Sequence, residues 1–222
     1  MQPLIVAIDG PSSVGKTTAS RRVARALGIP HIDTGAMYRA IGVAAVREGI
    51  DTRDAEHLEE LVSRVQIEFI PGERGRILLN GEDISPLIRT PEISMAASNV
   101  SAIPAVRRSL VRLQQEMGRR SGGVLEGRDI GTKVFPETPH KFFLTARPEV
   151  RAQRRYRELL SRGASAELGT VLAETIKRDD QDSTRSDSPL SYDESYTVLD
   201  TSDLTIDEVV RAIVNAIEAS TV

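Results

Sequence analysis

Short continuous apolar runs alternate along this chain with stretches whose apolar residues recur every three or four positions. "PLIVAID" (Pro3 to Asp9) is an apolar run that stops at a glycine, the pattern of a parallel strand buried on both faces. From Lys16 the pattern turns helical, with Ala19, Val23, Ala26 and Leu27 on one face and Gly28 placed to end the helix. "PHIDTG" predicts a second strand, leading into a helix from about Ala36 to Glu48 that Gly49 ends. "GGVLEGRDIG", "HKFFLTA" and "YTVLDTS" predict three more buried strands, with helical segments between them. After the last comes "TIDEVVRAIVNAIEA". There Thr205 and Glu208 have the spacing of a capping box, and Ile206, Val210, Ile213 and Ile217 share an apolar face. Alternating strands and helices predict an α/β fold with a mostly parallel sheet covered on both sides.

One stretch breaks the alternation. "QIEFIPGERGRILLNGEDIS" (Gln66 to Ser85) holds two β-like runs around "PGERG", a hairpin signal. It predicts a small β-containing insert from about Leu61 to Ile93 on a single domain that spans residues 1–222. There is no low-complexity tract, internal repeat or long linker.

Between the first strand and the first helix lies "GPSSVGKT", G-x-x-x-x-G-K-T with Gly10, Gly15, Lys16 and Thr17 at the fixed positions. Glycines let the backbone approach phosphates, and successive N–H groups and the helix start then face negative charge. Lys16 is expected to reach the β- and γ-phosphates of a nucleotide, and Thr17 to offer its hydroxyl to Mg2+. Pro11, Ser12, Ser13, Val14 and Thr18 complete the expected ATP-binding loop. GTPases, ATP-driven switches and small-molecule kinases share such a loop. The sequence has neither the D-x-x-G nor the N-K-x-D of a GTPase, and 222 residues are too few for a helicase or transporter. Two classes remain: a small kinase, or a nucleotide-binding regulatory module that transfers nothing.

Composition narrows partners more than function. A net charge of -3 gives no general attraction to nucleic acid or anionic membrane, and no apolar run approaches a membrane span. With no cysteines, disulfides, thiolate zinc sites and cysteine nucleophiles are excluded, and a cytoplasmic location is expected. His31, His57 and His140 share no metal-ligand spacing. Of 29 basic residues only Lys16, Lys133, Lys141 and Lys177 are lysines; the remainder are arginines, whose planar fork grips phosphate in two places.

Three polar clusters lie where strands end, the edge at which open α/β sheets bind ligands: "DTGAMYRA", "EGRDIGTKVFP" and "KRDDQDSTRSDSPL". Singly they read equally well as a helix cap at Asp33 or Thr34, a surface ion pair at Arg128 and Asp129, and a solvated charge run. Beside a phosphate loop, arginines at strand ends call for an anionic partner. Arg151, Arg154 and Arg155, spaced i, i+3 and i+4, share a helix face that reads either as solvent-exposed or as part of a lid.

With these motifs in order along nearly the whole chain, together with "ASNVSAIPAVRRSL", "KFFLTARPEVRAQRRY" and a late "LDTS", the sequence resembles the bacterial cytidylate kinases. Ser13, Val14 and Thr17 stand where members of that family often have glycine, alanine and glycine. The resemblance implies a P-loop NTPase-type three-layer fold with a central parallel sheet, an acceptor-side insert at about 61–93 and a helical lid at about 148–168. It implies a monomer that phosphorylates CMP and dCMP with ATP and Mg2+. By resemblance Arg39 and Arg128 grip the acceptor phosphate, helped by Thr34 and Tyr38. Ser98, Arg107 and Asp129 face the cytosine, and Arg178, Asp182 and Arg185 hold sugar and phosphates in a division left open. Arg154 and Arg157 are the expected lid contacts to ATP. Lys16, Arg128 and Arg185 are expected to act on the transferring group, with Asp33 holding a magnesium-bound water.

The chemistry of cytosine fits these residues. A carboxylate accepts from its N4 amino group and a guanidinium donates to O2 or N3, whereas the carbonyl of uracil would face the carboxylate. The acceptor is a phosphomonoester with a second pKa of about 6, dianionic at neutral pH, so no general base is required. Positioning and charge neutralisation remain. An alternative acceptor, a hydroxyl as in shikimate or a sugar acid, would need a base, for which Asp33 is the choice.

Overall fold

The computed structural model describes residues 3–70, 75–185 and 187–220. Its strands are β1 (Ile5–Asp9), β2 (His31–Asp33), β3 (Ile67–Ile70), β4 (Arg76–Leu79), β5 (Glu82–Asp83), β6 (Gly123–Glu126), β7 (His140–Thr145) and β8 (Thr197–Asp200). Its helices are α1 (Lys16–Leu27), α2 (Thr34–Glu48), α3 (Ala55–Arg64), α4 (Pro91–Val100), α5 (Pro104–Ser121), α6 (Pro148–Ser161), α7 (Leu168–Thr184) and α8 (Ile206–Ala219). They form two compact units, Leu4–Ile29 with Gly123–Val222, and Met1–Pro3 with Pro30–Gly122.

In the unit with the phosphate loop, β6, β1, β7 and β8 lie side by side in that order, all parallel. Val6 pairs with Val124 and Ile8 with Phe142, so strand alternation sends these four side chains to one face. There they meet Ala19 and Val23 of α1 and Val209, Ile213 and Ile217 of α8. Burying each of the valine, isoleucine and phenylalanine side chains among them stabilises the fold by about 1.5–3 kcal/mol. The stripe on α8 follows from its 3.6-residue period, and its start is fixed by the Thr205–Glu208 capping box that the sequence predicts. Asp9, Lys141 and Phe143 alternate to the opposite face.

The other unit has its own core. Met37, Ile41 and Ala45 of α2, Leu58 and Leu61 of α3, and Val106 and Leu110 of α5 are buried together with Ile77 and Leu79 of β4. Asp33 caps α2, and Gly49, at φ 68°, ends it as expected. The helix opens at Thr34, earlier than Ala36, because the cap is already in place. The β-like runs do pair, but as part of a three-stranded antiparallel sheet, β3-β4-β5. The third strand is set by Asn80 and Gly81, whose φ values of 50° and 82° give the two-residue turn that Asn-Gly favours. The "PGERG" turn falls at 71–74, outside the described residues, apart from Gly75.

Candidate functional site

The phosphate loop is shaped by three backbone conformations that side chains resist. Gly10 has φ 142°, and a Cβ there would lie 2.1 Å from the carbonyl oxygen of Leu144. Only glycine lets β1 leave the sheet this close to β7. Gly15, at φ 93°, caps α1. Between them Ser13 adopts φ 61°, a left-handed conformation that costs a non-glycine residue about 1–2 kcal/mol.

Lys16, 8% exposed, turns back over the loop and donates to the carbonyl oxygens of Gly10 at 2.7 Å and Pro11 at 2.5 Å. Burial and the charge of Arg128 hold its pKa well below that of an ordinary lysine, against the opposing pull of Glu126, Asp9 and Asp182. Thr17 Oγ1 donates to Glu126 Oε2 at 3.0 Å. Glu126 ends β6, beside β1, and is buried. Glu126 opens the cluster "EGRDIGTKVFP" but is not among the residues that the sequence singles out. The signal was available in an acid closing the apolar run "GVLE".

Around this loop the structure gathers three of the predicted residues. Arg128 Nε donates to Asp182 Oδ2 at 2.9 Å, and Arg185 Nη1 lies 3.8 Å from Asp182 Oδ1. Burial pushes the Asp182 carboxyl up, but Arg128, Arg178 and Arg185 outweigh it and hold the pKa below the usual carboxylate value. Helix α7 runs through Thr184, so Asp182 and Arg178 lie on its last turns while Arg185 is the first residue beyond, held by the Ser188 carbonyl at 2.8 Å. Asp129 is buried at the start of a π-helical turn, Ile130–Val134.

The arginines of α6 divide. Arg151 is buried and pairs bidentately with Asp179, at 2.9 and 2.5 Å, while Nε donates to the Ala146 carbonyl. Its expected face is therefore packed at this position. Arg154 donates to the Thr201 carbonyl at 2.6 Å and to that of Val14, in the phosphate loop, at 3.4 Å. Arg155 pairs with Glu158, and Arg157 is exposed. A cleft of about 470 Å3 opens beside Pro11, bounded by Thr145, Ala146, Arg151, Asp179 and Tyr192.

In the other unit Arg39 Nη2 donates to Asp33 Oδ2 at 2.7 Å, and Asp33 Oδ1 accepts from the Ala36 N–H at 2.9 Å. Burial raises the Asp33 pKa, but Arg39, His31 and Arg89 prevail and hold it below the ordinary value. Arg39 Nε is buried without a hydrogen-bond partner among the described residues. Arg107 is buried, donates to the Ser101 carbonyl at 3.0 Å and lies 5.6 Å from the centre of the Tyr38 ring. Ser98 is half-buried on α4 and Thr34 is buried at the start of α2.

Asp33→Asn separates the two tasks of this carboxylate. Asparagine caps a helix as well as aspartate does but cannot hold Arg39 by charge. The expected result is a Tm within about 3 °C of wild type and a kcat/KM for the acceptor about tenfold lower, of the order of one lost charged hydrogen bond. Steady-state kinetics with thermal melts checks it, and unchanged kinetics would separate Arg39 orientation from catalysis.

Among the described residues no helix is long and apolar enough to cross a membrane. A solved uncharacterized protein from Eubacterium ventriosum shares the fold, with a TM-score of 0.56 at 14% identity over 98% of this chain and 99% of that one. A cytidylate kinase of Syntrophotalea carbinolica is 46% identical over 215 residues, 96% of this chain and 92% of that protein. One from Geobacter sp. (strain M21) is 48% identical over 209 residues, covering 94% and 90%. One from Mycobacterium leprae is 46% identical over 219 residues, covering 98% and 97%. The family model for cytidylate kinase matches residues 6–219, a span that holds the phosphate loop and both arginine clusters, and the chain belongs to the cytidylate kinase family.

Proposed function

We propose the following division of labour in an enzyme that transfers a phosphoryl group from ATP to CMP and dCMP. Gly10 to Thr18 hold the ATP phosphates, with Arg154 and Arg157 contributing from the lid, about 148–168. Arg39 and Arg128 grip the acceptor phosphate, with Thr34 and Tyr38 beside it. Ser98, Arg107 and Asp129 read the cytosine. Arg178, Asp182 and Arg185 hold ribose and phosphate, and Arg185 neutralises charge on the transferring group with Lys16. The observation that carries this reading is the cluster of Lys16, Arg128 and Arg185 around Asp182 at the phosphate loop. Burial, with the charge of Arg128 beside it, holds the Lys16 pKa below that of an ordinary lysine, and a bound polyphosphate would favour the charged ammonium.

The acceptor is a phosphate and not a hydroxyl. A hydroxyl needs a base, and Asp33, held below the usual carboxylate range by Arg39, is a weakened one. The acceptor dianion is its own nucleophile, so the residues position and neutralise.

The Thr17 hydroxyl and the Glu126 carboxylate, 3.0 Å apart, are hard oxygen donors of the kind Mg2+ takes while keeping several waters. We assign the ion to this pair, with Asp33 on one of its waters. Held by Thr17 and Glu126, Mg2+ would supply charge neutralisation at the nucleotide phosphates. The enzyme acts as a cytoplasmic monomer in this reading, and the 61–93 segment moves with the acceptor side.

An ADP-release assay with ATP and Mg2+ tests the assignment. CMP and dCMP are expected to turn over, with kcat/KM for UMP at least about 100-fold lower, because an acceptor carbonyl would meet the Asp129 carboxylate. Equal turnover of UMP would remove Asp129 from base recognition. No turnover with any monophosphate would leave only nucleotide binding.

A further inference from the structure

Asp9 has no part in the reaction as described, yet it is the most completely buried acid in its unit, with no exposed surface. Its Oδ1 accepts from the Ile130 N–H at 2.9 Å. Its Oδ2 accepts from the Gly131 N–H and the Tyr196 hydroxyl, both at 2.9 Å. Gly131 can be nothing larger, because a Cβ there would lie 2.5 Å from that hydroxyl. The two N–H groups open the turn that directly follows Arg128 and Asp129. On its backbone side Asp9 is followed by Gly10, the strained first residue of the phosphate loop whose carbonyl holds Lys16. One residue thus joins the loop for the donor phosphates to the segment carrying Arg128.

The arrangement opposes the folding preference of a carboxylate. Burial and, less strongly, the neighbouring Asp129 raise the Asp9 pKa while the Gly131, Ile130 and Tyr196 donors lower it, and the balance leaves it at about 6. Lys141 lies over the Tyr196 ring at 5.8 Å, and Lys16 of the loop feels the Asp9 charge. A strand end needing only a hydrogen-bond acceptor could use a neutral side chain. A carboxylate alone offers two oxygens that both accept, which is what two adjacent N–H groups and a hydroxyl require.

We infer that Asp9 is a positioning residue for phosphoryl transfer, holding the Arg128–Asp129 segment in register with the phosphate loop through Ile130, Gly131 and Tyr196. The inference rests on the proposed role of Arg128 at the acceptor phosphate. In-line transfer is sensitive to displacements of about 1 Å, which can cost about 100-fold in rate.

The test uses Asp9→Asn and Tyr196→Phe. Asparagine keeps the shape but turns an amide NH2 towards one of the donors. Two activities are compared: CMP-dependent ADP release, and the slow CMP-independent hydrolysis of ATP, which needs no acceptor and so no acceptor-phosphate contact from Arg128. In Asp9→Asn the CMP-dependent kcat is expected to fall at least about tenfold, within the range set by misplacement, while hydrolysis and the affinity for a fluorescent ATP analogue change little. In Tyr196→Phe, which keeps both N–H bonds, the same ratio falls by a smaller factor. A purely structural role lowers both activities in proportion to the folded fraction and overturns the inference, as does a CMP-dependent kcat within twofold of wild type. If Asp9→Asn does not fold, an unchanged ratio in Tyr196→Phe overturns the inference and a lowered one supports it. Arg128→Ala, assayed in parallel, separates the two ideas: unchanged kinetics there removes the acceptor role of Arg128 whatever Asp9 does.

Discussion

Lys16→Ala is expected to lower kcat/KM for CMP phosphorylation by about 10³-fold, the scale of removing one preorganised charge from a transferring group. The side chain is held over the loop by the carbonyls of Gly10 and Pro11, so its ammonium is in position before substrate arrives. Stability should behave differently. Burial and Arg128 disfavour the charged form, so alanine removes an unfavourable charge along with two hydrogen bonds, and Tm should move by no more than about 3 °C. The pH dependence gives a second sign. A lysine whose folded pKa lies below its ordinary 10.5 releases its proton earlier in the folded state, so wild-type stability rises with pH between the depressed value and 10.5. The variant should lack that rise. Kinetics, thermal melts and urea titrations at several alkaline pH values read all three. A loss below tenfold, or one that tracks unfolding, would remove Lys16 from the transfer step.

The largest stability effect is expected at Asp179→Ala. Its partner Arg151 is almost enclosed, with a side-chain exposure of 4%, and the pair joins α6 to α7. Removing the carboxylate leaves a buried guanidinium with only the Ala146 carbonyl and a long contact to that of Ser12. Breaking a buried pair from one side costs about 3 kcal/mol or more. At about 2–4 °C per kcal/mol for a chain of this size, Tm falls by roughly 6–12 °C. Replacing both partners by apolar residues, Arg151→Met with Asp179→Leu, should recover most of the loss, since no charge is left unpaired. A fall below about 2 °C in Asp179→Ala would mean that water reaches the guanidinium. The KM for ATP should rise in the single variant, because Arg151 also touches the loop carbonyl of Ser12.

Sequence alone determined what depends on neighbouring residues. The phosphate loop, the helix ends at Gly28 and Gly49 and the Thr205–Glu208 box are set within a few positions, because a φ above zero or a free N–H needs a particular residue at a particular offset, whereas the cap of α2 is narrowed by sequence only to Asp33 or Thr34. The buried strands were legible because burial on both faces demands continuous apolar runs. The Asn80–Gly81 turn is equally local, although the "PGERG" signal by itself predicts only two paired strands. What only the tertiary structure decided are partnerships across long stretches of chain. Asp9 with Tyr196, Thr17 with Glu126, Arg128 with Asp182 and Arg151 with Asp179 join residues far apart in sequence. No periodicity encodes such pairs. They follow from which strands become neighbours in β6-β1-β7-β8, and from the requirement that a buried charge find its counterpart wherever that order brings one. For this reason an arginine such as Arg151, which sequence reads as one of a helix face, is a buried anchor, while Arg157, on a different side of the same helix, stays in solvent.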